Sequence, residues 1–242
     1  MIGNRQAIVE ERRAHRPAAF LIFFPSRRRS QGLLRYCDGP RAKRIFDIGL
    51  SILVLLFGAP LYVLVALLVK LSSPGPIFYS QRRVGKNGKR FICVKFRTMV
   101  VDADRVLHQM ISASPELGQE FEDNFKLKQD PRITRLGRFM RMTSLDELTQ
   151  FWNVLKGDMS IVGPRPLVPD ELERYGSAIT TVLEVKPGIT GLWQVSGRND
   201  IPYDRRIQID VSYSRFHTFQ MDLWIILKTF KVVLFPRGNG AY

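Results

Sequence analysis

Two adjacent carboxylates, Asp146 and Glu147, are the side chains best suited to chemistry in this sequence. They open a segment, residues 145–155, whose apolar residues recur at helical spacing. An aspartate at the positive end of a helix stays ionised beside a natural anion-binding site, so Asp146 could attack phosphorus and form an aspartyl-phosphate type intermediate. Glu147 could then hold a magnesium ion that neutralises a diphosphate. The spacing supports a structural alternative equally well, in which Ser144 and Glu147 form a capping box and Asp146 interacts with the helix dipole.

Arg165 is a third candidate because it lies between two prolines in the loop formed by residues 163–166. The prolines fix the backbone, and the planar guanidinium suits phosphate oxygens. A surface turn with an incidental arginine explains the motif as well. Residues 186–198, KPGITGLWQVSGR, predict either a nucleotide-cradling loop or a hairpin. They carry no Walker-type or dinucleotide glycine fingerprint.

The histidines and cysteines argue against several other kinds of site. The histidines are scattered, at His15, His108 and His217, so a histidine metal site or a Ser-His-Asp triad is disfavoured. Cys37 and Cys93 are far apart and in no metal-like spacing. They predict neither a disulfide framework nor a zinc site.

The charge balance points to anionic partners. The chain of 242 residues carries 37 Lys and Arg against 22 Asp and Glu, a formal net charge of +15. Nucleic acid, anionic lipid headgroups and phosphorylated substrates would each fit such an excess. Residues 1–40 are strongly basic and show no sustained period, which predicts a mobile arm to which no role is assigned.

An apolar run over residues 48–69 contains no charge and is long enough to cross a bilayer, which takes about 20 residues. Gly58, Ala59 and Pro60 interrupt it, so the helix should break or bend there. Basic residues flank both ends, whereas a spanning helix keeps its positive flank on one side. We therefore predict a re-entrant membrane helix over residues 41–76, with a kinked spanning helix as the alternative.

Residues 77–242 are predicted to form a further domain that combines short strands with helices. The fold class is α/β and mostly helical, with short strands at residues 77–79 and 91–96 around a turn at 85–88. Residues 102–127 are polar and predicted helical. Residues 221–235 suit an amphipathic helix in the bilayer interface, or equally a packed core helix.

Taken together, four segments resemble one family closely, the bacterial sugar transferases or monotopic phosphoglycosyl transferases. The segments are KRIFDIGLSILVLLFGAPL, GPIFYSQRRVGKNGKRFICVKFRTM, DPRITRLGRFMRMTSLDELTQFWNVLKGDMSIVGPRP and KPGITGLWQVSGRN. They cover roughly residues 41–235 in the family's order. The C-terminal third looks most like exopolysaccharide-initiating undecaprenyl-phosphate galactose phosphotransferases.

The resemblance implies a ping-pong reaction through a covalent enzyme intermediate. Asp146 would attack the β-phosphate of a UDP-sugar and expel UMP, and Glu147, together with Asp146, would bind Mg²⁺. Arg141 and Arg165 match family positions associated with phosphate and nucleotide binding, and Arg198 is a weaker candidate for the nucleotide. Undecaprenyl phosphate would then take the sugar phosphate from the enzyme. Galactose is the expected sugar, with glucose and N-acetylated hexoses as alternatives.

The resemblance also implies that residues 77–242 form a cytosolic catalytic domain. It further implies a monotopic protein at the cytoplasmic face of the bacterial inner membrane, in contact with its lipids and without a nucleic-acid partner. A dimer or higher homo-oligomer is a reasonable expectation. The chain departs from the family at Ala59, where many members have serine before the proline of the bend. Two alternatives remain. One is a catalytically silent membrane scaffold, and the other is a basic binding protein that binds nucleic acid or has a regulatory role.

Overall fold

The computed structural model describes residues 39–124, 127 and 129–234, so nearly all of the predicted arm over residues 1–40 lies outside the described residues. The described part is mostly helical with short strands. The helices are α1 Pro40–Ser72, α2 Ala103–Ala113, α3 Pro115–Asn124, α4 Arg135–Met142, α5 Gln150–Lys156, α6 Leu172–Tyr175, α7 Ile179–Val182, α8 Tyr203–Phe216 and α9 Phe219–Leu234. The strands are β1 Phe78–Val84, β2 Arg90–Phe96, β3 Ser160–Val162 and β4 Gly188–Thr190. Short 3₁₀ turns cover Lys86–Gly88, Leu145–Glu147, Pro169–Glu171, Gly176–Ala178 and Arg198–Asp200.

The predicted hairpin is confirmed by the pairing of β1 with β2. The two strands are antiparallel, with Phe78 opposite Phe96. The turn between them places Asn87 in the left-handed region, at φ 56°, which Asn tolerates better than most residues. The first strand is longer than predicted, and it ends at Val84. The helical prediction for residues 102–127 corresponds to α2 and α3.

The hairpin alternative for residues 186–198 is wrong, because β4 pairs with β3 in parallel, while the nucleotide-cradling loop stays a prediction. Ser160 lies opposite Gly188, and the Gly163 amide donates to the Thr190 carbonyl at 3.0 Å. A Cβ on Gly188 would lie 2.1 Å from the Gly163 nitrogen, and one on Gly191 would lie 2.4 Å from the Gly163 carbonyl oxygen. These glycines therefore let two backbone segments touch, which fixes the loop that carries Arg165.

Helix α1 is the one described helix that is long and apolar enough to cross a membrane by length and composition. Only 11% of its most apolar window is buried, so it is not a core helix of the usual kind. The helix runs without interruption through Gly58, Ala59 and Pro60. The helix is therefore not broken at these residues, while a bend there and re-entry into the membrane stay predictions.

The N-terminal end of α1 is held against the rest of the protein by polar contacts. Asp47 is buried and its Oδ1 accepts a hydrogen bond from the Ile161 amide at 3.1 Å. Arg44 donates to the carbonyls of Val154 and Leu155, at 2.6 and 2.9 Å, at the end of α5. A guanidinium there satisfies carbonyls that have no partner within their own helix.

The C-terminal end of α1 is held in the same way by Arg97, which follows β2. Its guanidinium donates to the carbonyls of Ser73 and Pro74, both at 2.7 Å. Farther back along the helix, the hydroxyl of Tyr62 donates to the Leu148 carbonyl at 2.6 Å. Helix α1 thus contacts the same body near both ends and in between.

The main hydrophobic core lies beneath β2, α5 and β3 and is closed by α8 and α9. Its buried members are Phe91, Cys93, Val154, Met159, Ile161, Val162, Leu192, Tyr213, Met221 and Ile225. Helix α9 contributes Met221 and Ile225 to this core, while Leu227 and Phe230 on its other side are exposed. One face of α9 is therefore packed in the core, as one of the two predictions for residues 221–235 has it. The other face is apolar and exposed, which suits a membrane interface.

Candidate active site

The two candidate carboxylates lie in the 3₁₀ turn Leu145–Glu147, not in the first turn of an α-helix. Helix α5 begins only at Gln150, so the predicted helix over residues 145–155 starts too early. Ser144 has left-handed backbone angles, φ 56° and ψ 19°, and its side chain caps no amide. The capping-box alternative is therefore wrong: the Ser144 hydroxyl oxygen instead accepts a hydrogen bond from Arg198 at 3.2 Å.

Asp146 is buried, with 7% of its surface exposed. Burial raises the pKa of its carboxyl to about 6, and the charge of Glu147 adds to this effect. Lys95 and Arg141 act in the opposite direction and lower the pKa. The carboxyl is therefore mainly ionised at neutral pH, because the neighbouring cations and a backbone hydrogen bond oppose the effect of its burial.

Lys95 pairs with Glu147 across this site, with 2.5 Å between Nζ and Oε1. Both side chains are about one-fifth exposed, at 20% each. Lys95 lies on β2, which the sequence analysis treated only as a strand. A lysine between Val94 and Phe96 in an otherwise apolar strand was the signal that could have identified it.

The three predicted arginines surround the carboxylates. Arg141 donates from Nε to the Thr98 hydroxyl at 3.0 Å. Burial lowers the pKa of Arg141 and the charge of Asp146 opposes this shift. Burial also lowers the pKa of Arg198, against the charges of Glu147 and Asp146.

Arg165 lies in the same electrostatic environment. Burial acts to lower the pKa of its guanidinium, but the carboxylates of Glu171 and Glu147 outweigh it, so the net shift is upward. Arg165 is therefore a fixed cation in the site. Arg165 is only partly exposed, and its role in binding phosphate stays a prediction.

Arg83 and Glu171 stabilise the loop that carries Arg165, and neither residue was predicted from the sequence. Arg83 donates to the Pro166 carbonyl at 2.9 Å and lies 3.7 Å from the Glu171 carboxylate. Glu171 also accepts a hydrogen bond from the Val168 amide at 2.9 Å. Because a charged residue is rarely buried unless it is paired, each of these two side chains stabilises the other.

These side chains open onto a small cleft with an empty volume of about 240 Å³, part of it shared with solvent. Its lining combines charge with apolar walls. The lining residues are Arg83, Lys95, Glu147, Gln150, Arg165, Pro166, Ile189 and Gln194.

Among the described residues, no group of three or more His, Cys, Asp or Glu side chains could hold a metal ion. The adjacent Asp146 and Glu147 nonetheless fit Mg²⁺, which proteins bind through one or two carboxylates together with substrate phosphates. A magnesium ion held by Asp146 and Glu147 stays a prediction.

The fold and the site together define a class: a protein with a membrane-type helix and a carboxylate pair set among cations that suit an anionic, phosphorylated substrate. The chain belongs to the bacterial sugar transferase family, whose model matches residues 39–236. The predicted family membership is therefore confirmed.

Three relatives illustrate the likeness. The undecaprenyl-phosphate galactose phosphotransferase of Salmonella typhimurium is 52% identical over 200 residues, which is 83% of this chain and 41% of that protein. The exopolysaccharide production protein ExoY of Sinorhizobium fredii is 45% identical over 226 residues, 93% of this chain and 98% of ExoY. The UDP-galactose-lipid carrier transferase of Erwinia amylovora is 47% identical over 202 residues, 83% and 41% of the two chains. The chain thus spans less than half of two of these relatives and nearly all of ExoY.

Proposed function

We propose that this protein transfers a hexose-1-phosphate, galactose-1-phosphate by preference, from a UDP-sugar to undecaprenyl phosphate. The observation that carries the proposal is the site itself: buried Asp146 lies next to Glu147, Lys95 pairs with Glu147, and the charge of Arg141 acts on Asp146. Such a site neutralises the charge of a diphosphate and holds a carboxylate ready for attack. Positioning and charge neutralisation are the main contributions to phosphoryl-transfer catalysis.

In the first half-reaction, an Oδ of Asp146 attacks the β-phosphorus of the nucleotide sugar. A new bond forms between that oxygen and phosphorus, and the bond from phosphorus to the bridging oxygen of the diphosphate breaks. UMP leaves with the bridging oxygen and its electron pair, and the hexose phosphate remains on Asp146. Arg165 and Arg198, whose guanidinium groups both interact electrostatically with Glu147, would hold the negative charge that collects on the leaving UMP.

In the second half-reaction, a phosphate oxygen of undecaprenyl phosphate attacks the same phosphorus. The bond to Asp146 breaks, the carboxylate is regenerated, and the product is an undecaprenyl diphosphate sugar. Asp146 is suited to both roles because a carboxyl with a pKa of about 6 is ionised at neutral pH yet leaves phosphorus readily.

Glu147, assisted by Asp146, would hold Mg²⁺ in this site. When bound, the ion neutralises the diphosphate oxygens and makes the phosphorus a better electrophile. Lys95 fixes the Glu147 carboxylate through its ion pair, so the ligand is oriented before substrate arrives.

The contacts of α1 support a monotopic arrangement at the cytoplasmic face. Its 33 residues span about 50 Å at 1.5 Å per residue. A helix spanning the bilayer would separate its two ends by the membrane, yet Asp47 and Arg97 both bond α1 to the same charged body. Burying that body in hydrocarbon would be expensive. The outward face of α1, which includes exposed Leu56 and Phe57, would instead enter one leaflet.

Galactose is favoured because two of the relatives are named for galactose or UDP-galactose transfer. The name of ExoY, the relative matched over nearly its full length, supports a role in starting exopolysaccharide synthesis. The complete charged site gives no support to the alternative of a silent scaffold.

The covalent intermediate provides the test. Purified protein incubated with Mg²⁺ and UDP-galactose, without acceptor lipid, should gain the mass of one hexose phosphate, carried by the peptide that contains Asp146. The Asp146→Asn variant should gain none, while Asp158→Asn, a matched change outside the site, should behave as the wild type. An adduct on another residue, or no adduct with any UDP-sugar, would contradict the proposed mechanism.

A further inference from the structure

Two glutamines in the cleft have polar atoms without partners. Gln150, at the start of α5, is 1% exposed, and its amide nitrogen has no hydrogen-bond partner in the described part of the chain. Gln194 donates from Nε2 to the Ile189 carbonyl at 3.3 Å, so its Oε1 lies on the side of the amide away from that carbonyl. That oxygen is buried and likewise unpartnered among the described residues. Both side chains line the cleft that Glu147 and Lys95 line.

Buried polar groups are nearly always paired, and leaving one unpaired destabilises the fold. The two glutamines present complementary groups, one N–H donor and one carbonyl acceptor. The backbone makes room for this arrangement, because a Cβ on Gly191 would lie 3.0 Å from the Gln194 Oε1. A ligand with neighbouring donor and acceptor groups would satisfy both amides.

We propose that Gln150 and Gln194 form the sugar subsite of the cleft and select the hexose through its hydroxyl groups. This inference rests on the proposed function. A sugar hydroxyl can accept a hydrogen bond from the Gln150 amide nitrogen and donate one to the Gln194 oxygen. The walls contributed by Pro166 and Ile189 suit the apolar faces of a hexose ring.

Position favours the sugar over the nucleobase as the occupant. The cleft also contains Glu147, the immediate neighbour of Asp146, and Arg165, which the proposed function assigns to the phosphate of the leaving UMP. The cleft therefore adjoins the phosphorus that Asp146 attacks and that carries the sugar. The hexose is bonded directly to that phosphate, whereas the uracil lies beyond the α-phosphate and the ribose.

The specificity of turnover tests the subsite. The full-length protein with Gln194→Met or Gln150→Met is assayed for kcat/KM with UDP-galactose and UDP-glucose, and for inhibition by UMP. A site that bonds substrate hydroxyls discriminates strongly against sugars that cannot use it. We expect kcat/KM for the preferred sugar to fall at least about tenfold and the galactose-to-glucose ratio to move towards one, with inhibition by UMP unchanged.

The matched control is Gln208→Met, an exposed glutamine on α8, which should leave the ratio unchanged. Should Gln150→Met fail to fold, Gln194→Met decides alone, since Gln194 is only partly buried in a loop.

A galactose-to-glucose ratio that stays at the wild-type value in an active Gln194→Met protein would overturn the subsite. A parallel weakening of UMP inhibition would reassign the amides to the nucleotide. Failure of the wild type to turn over any UDP-sugar would overturn the proposed function, and the subsite with it.

Discussion

At the scale of single residues, the site depends on how Asp146 is kept ionised while buried. Its own burial and the charge of Glu147 raise the pKa, and Lys95 and Arg141 bring it back to about 6. Lys95 does so while paired with Glu147 at 2.5 Å. One lysine therefore supports both carboxylates.

Replacing Lys95 by methionine should strongly reduce the rate of UMP release, by about 10²–10³-fold, the cost of removing one charge-stabilising donor from an active site. The pKa of Asp146 should rise in this variant, so residual activity should need higher pH than in the wild type. Rates measured from pH 5 to 9 check both points. Lys89→Met, at the exposed end of the β1–β2 hairpin, is the control, and wild-type rates in Lys95→Met would contradict the role of this lysine.

Asp210 gives the stability of the protein a predictable pH dependence. The carboxyl is completely buried, which raises its pKa to about 8, although a hydrogen bond from the Tyr175 hydroxyl at 3.0 Å lowers it. The folded protein therefore keeps this proton up to about pH 8, whereas the unfolded chain loses it near pH 4. Between these values rising pH favours the unfolded state, by at most about 1.4 kcal/mol per pH unit.

Asp210→Asn should remove this contribution. The melting temperature of the wild type should fall more steeply from pH 5 to 8 than that of Asp210→Asn, measured in the same detergent. The exposed Asp204→Asn should follow the wild type. Parallel curves for wild type and Asp210→Asn would show that the Asp210 carboxyl titrates normally.

The types of the site residues were predictable from sequence, but their partners were not. Asp146, Glu147 and Arg165 were recognisable because they stand in short motifs. Lys95 joins them only because β2 crosses the 3₁₀ turn, and no local pattern encodes that crossing. The roles of all these residues remain predictions that the proposed experiments address.

At the scale of elements, α1 is joined to the catalytic turn by Tyr62. Its hydroxyl bonds the Leu148 carbonyl at 2.6 Å, next to Glu147. A Cβ on Gly58 would come within 3.0 Å of the Tyr62 ring, so the glycine leaves the space in which the ring lies. The apolar contact of Leu145 with α1 joins the same turn to the helix.

Tyr62→Phe should weaken this connection. Loss of one hydrogen bond costs about 1 kcal/mol, which for a protein of this size lowers the melting temperature by about 2–4 °C. UMP release should fall as well, because the turn with Asp146 is less well held. Tyr79→Phe, which alters an exposed tyrosine on β1, is the control. Unchanged melting and activity in Tyr62→Phe would mean that α1 does not position the turn.

Local signals predicted some elements and missed others for a physical reason. The β1–β2 hairpin was predicted because its turn residues lie between its strands in sequence. The parallel pairing of β3 with β4 joins segments that are distant in sequence. It depends on the close approach of Gly163 and Gly188, which no local sequence pattern indicates. The continuity of α1 through Pro60 was also missed, because a proline that costs a helical hydrogen bond can be tolerated where packing holds the helix on both sides.

At the scale of the whole molecule, the protein combines a large positive net charge with exposed apolar residues on two helices. The net charge of +15 suits anionic headgroups and anionic substrates at one interface. Exposed apolar residues of α1 and α9, such as Leu56 and Phe230, would enter the lipid. Because both ends of α1 bond to one body, a nucleotide sugar from the cytosol and a lipid phosphate from the bilayer would meet at the same site.

This arrangement predicts that both ends of α1 face the cytoplasm. Single cysteines introduced by Arg41→Cys or Ser80→Cys, in a background with Cys37→Ser and Cys93→Ser, should react in intact cells only with a membrane-permeant maleimide. Permeabilised cells, in which both positions should react with the impermeant reagent, are the control. Labelling of either position by the impermeant reagent in intact cells would indicate a spanning helix.

The most direct test of the central claim is UMP release by the purified protein with Mg²⁺ and UDP-galactose, with and without undecaprenyl phosphate. We predict that sustained release requires the lipid, stops on removal of Mg²⁺ by a chelator, and is lost in Asp146→Asn. Sustained release by a well-folded Asp146→Asn protein would contradict the claim that this carboxylate carries the sugar phosphate.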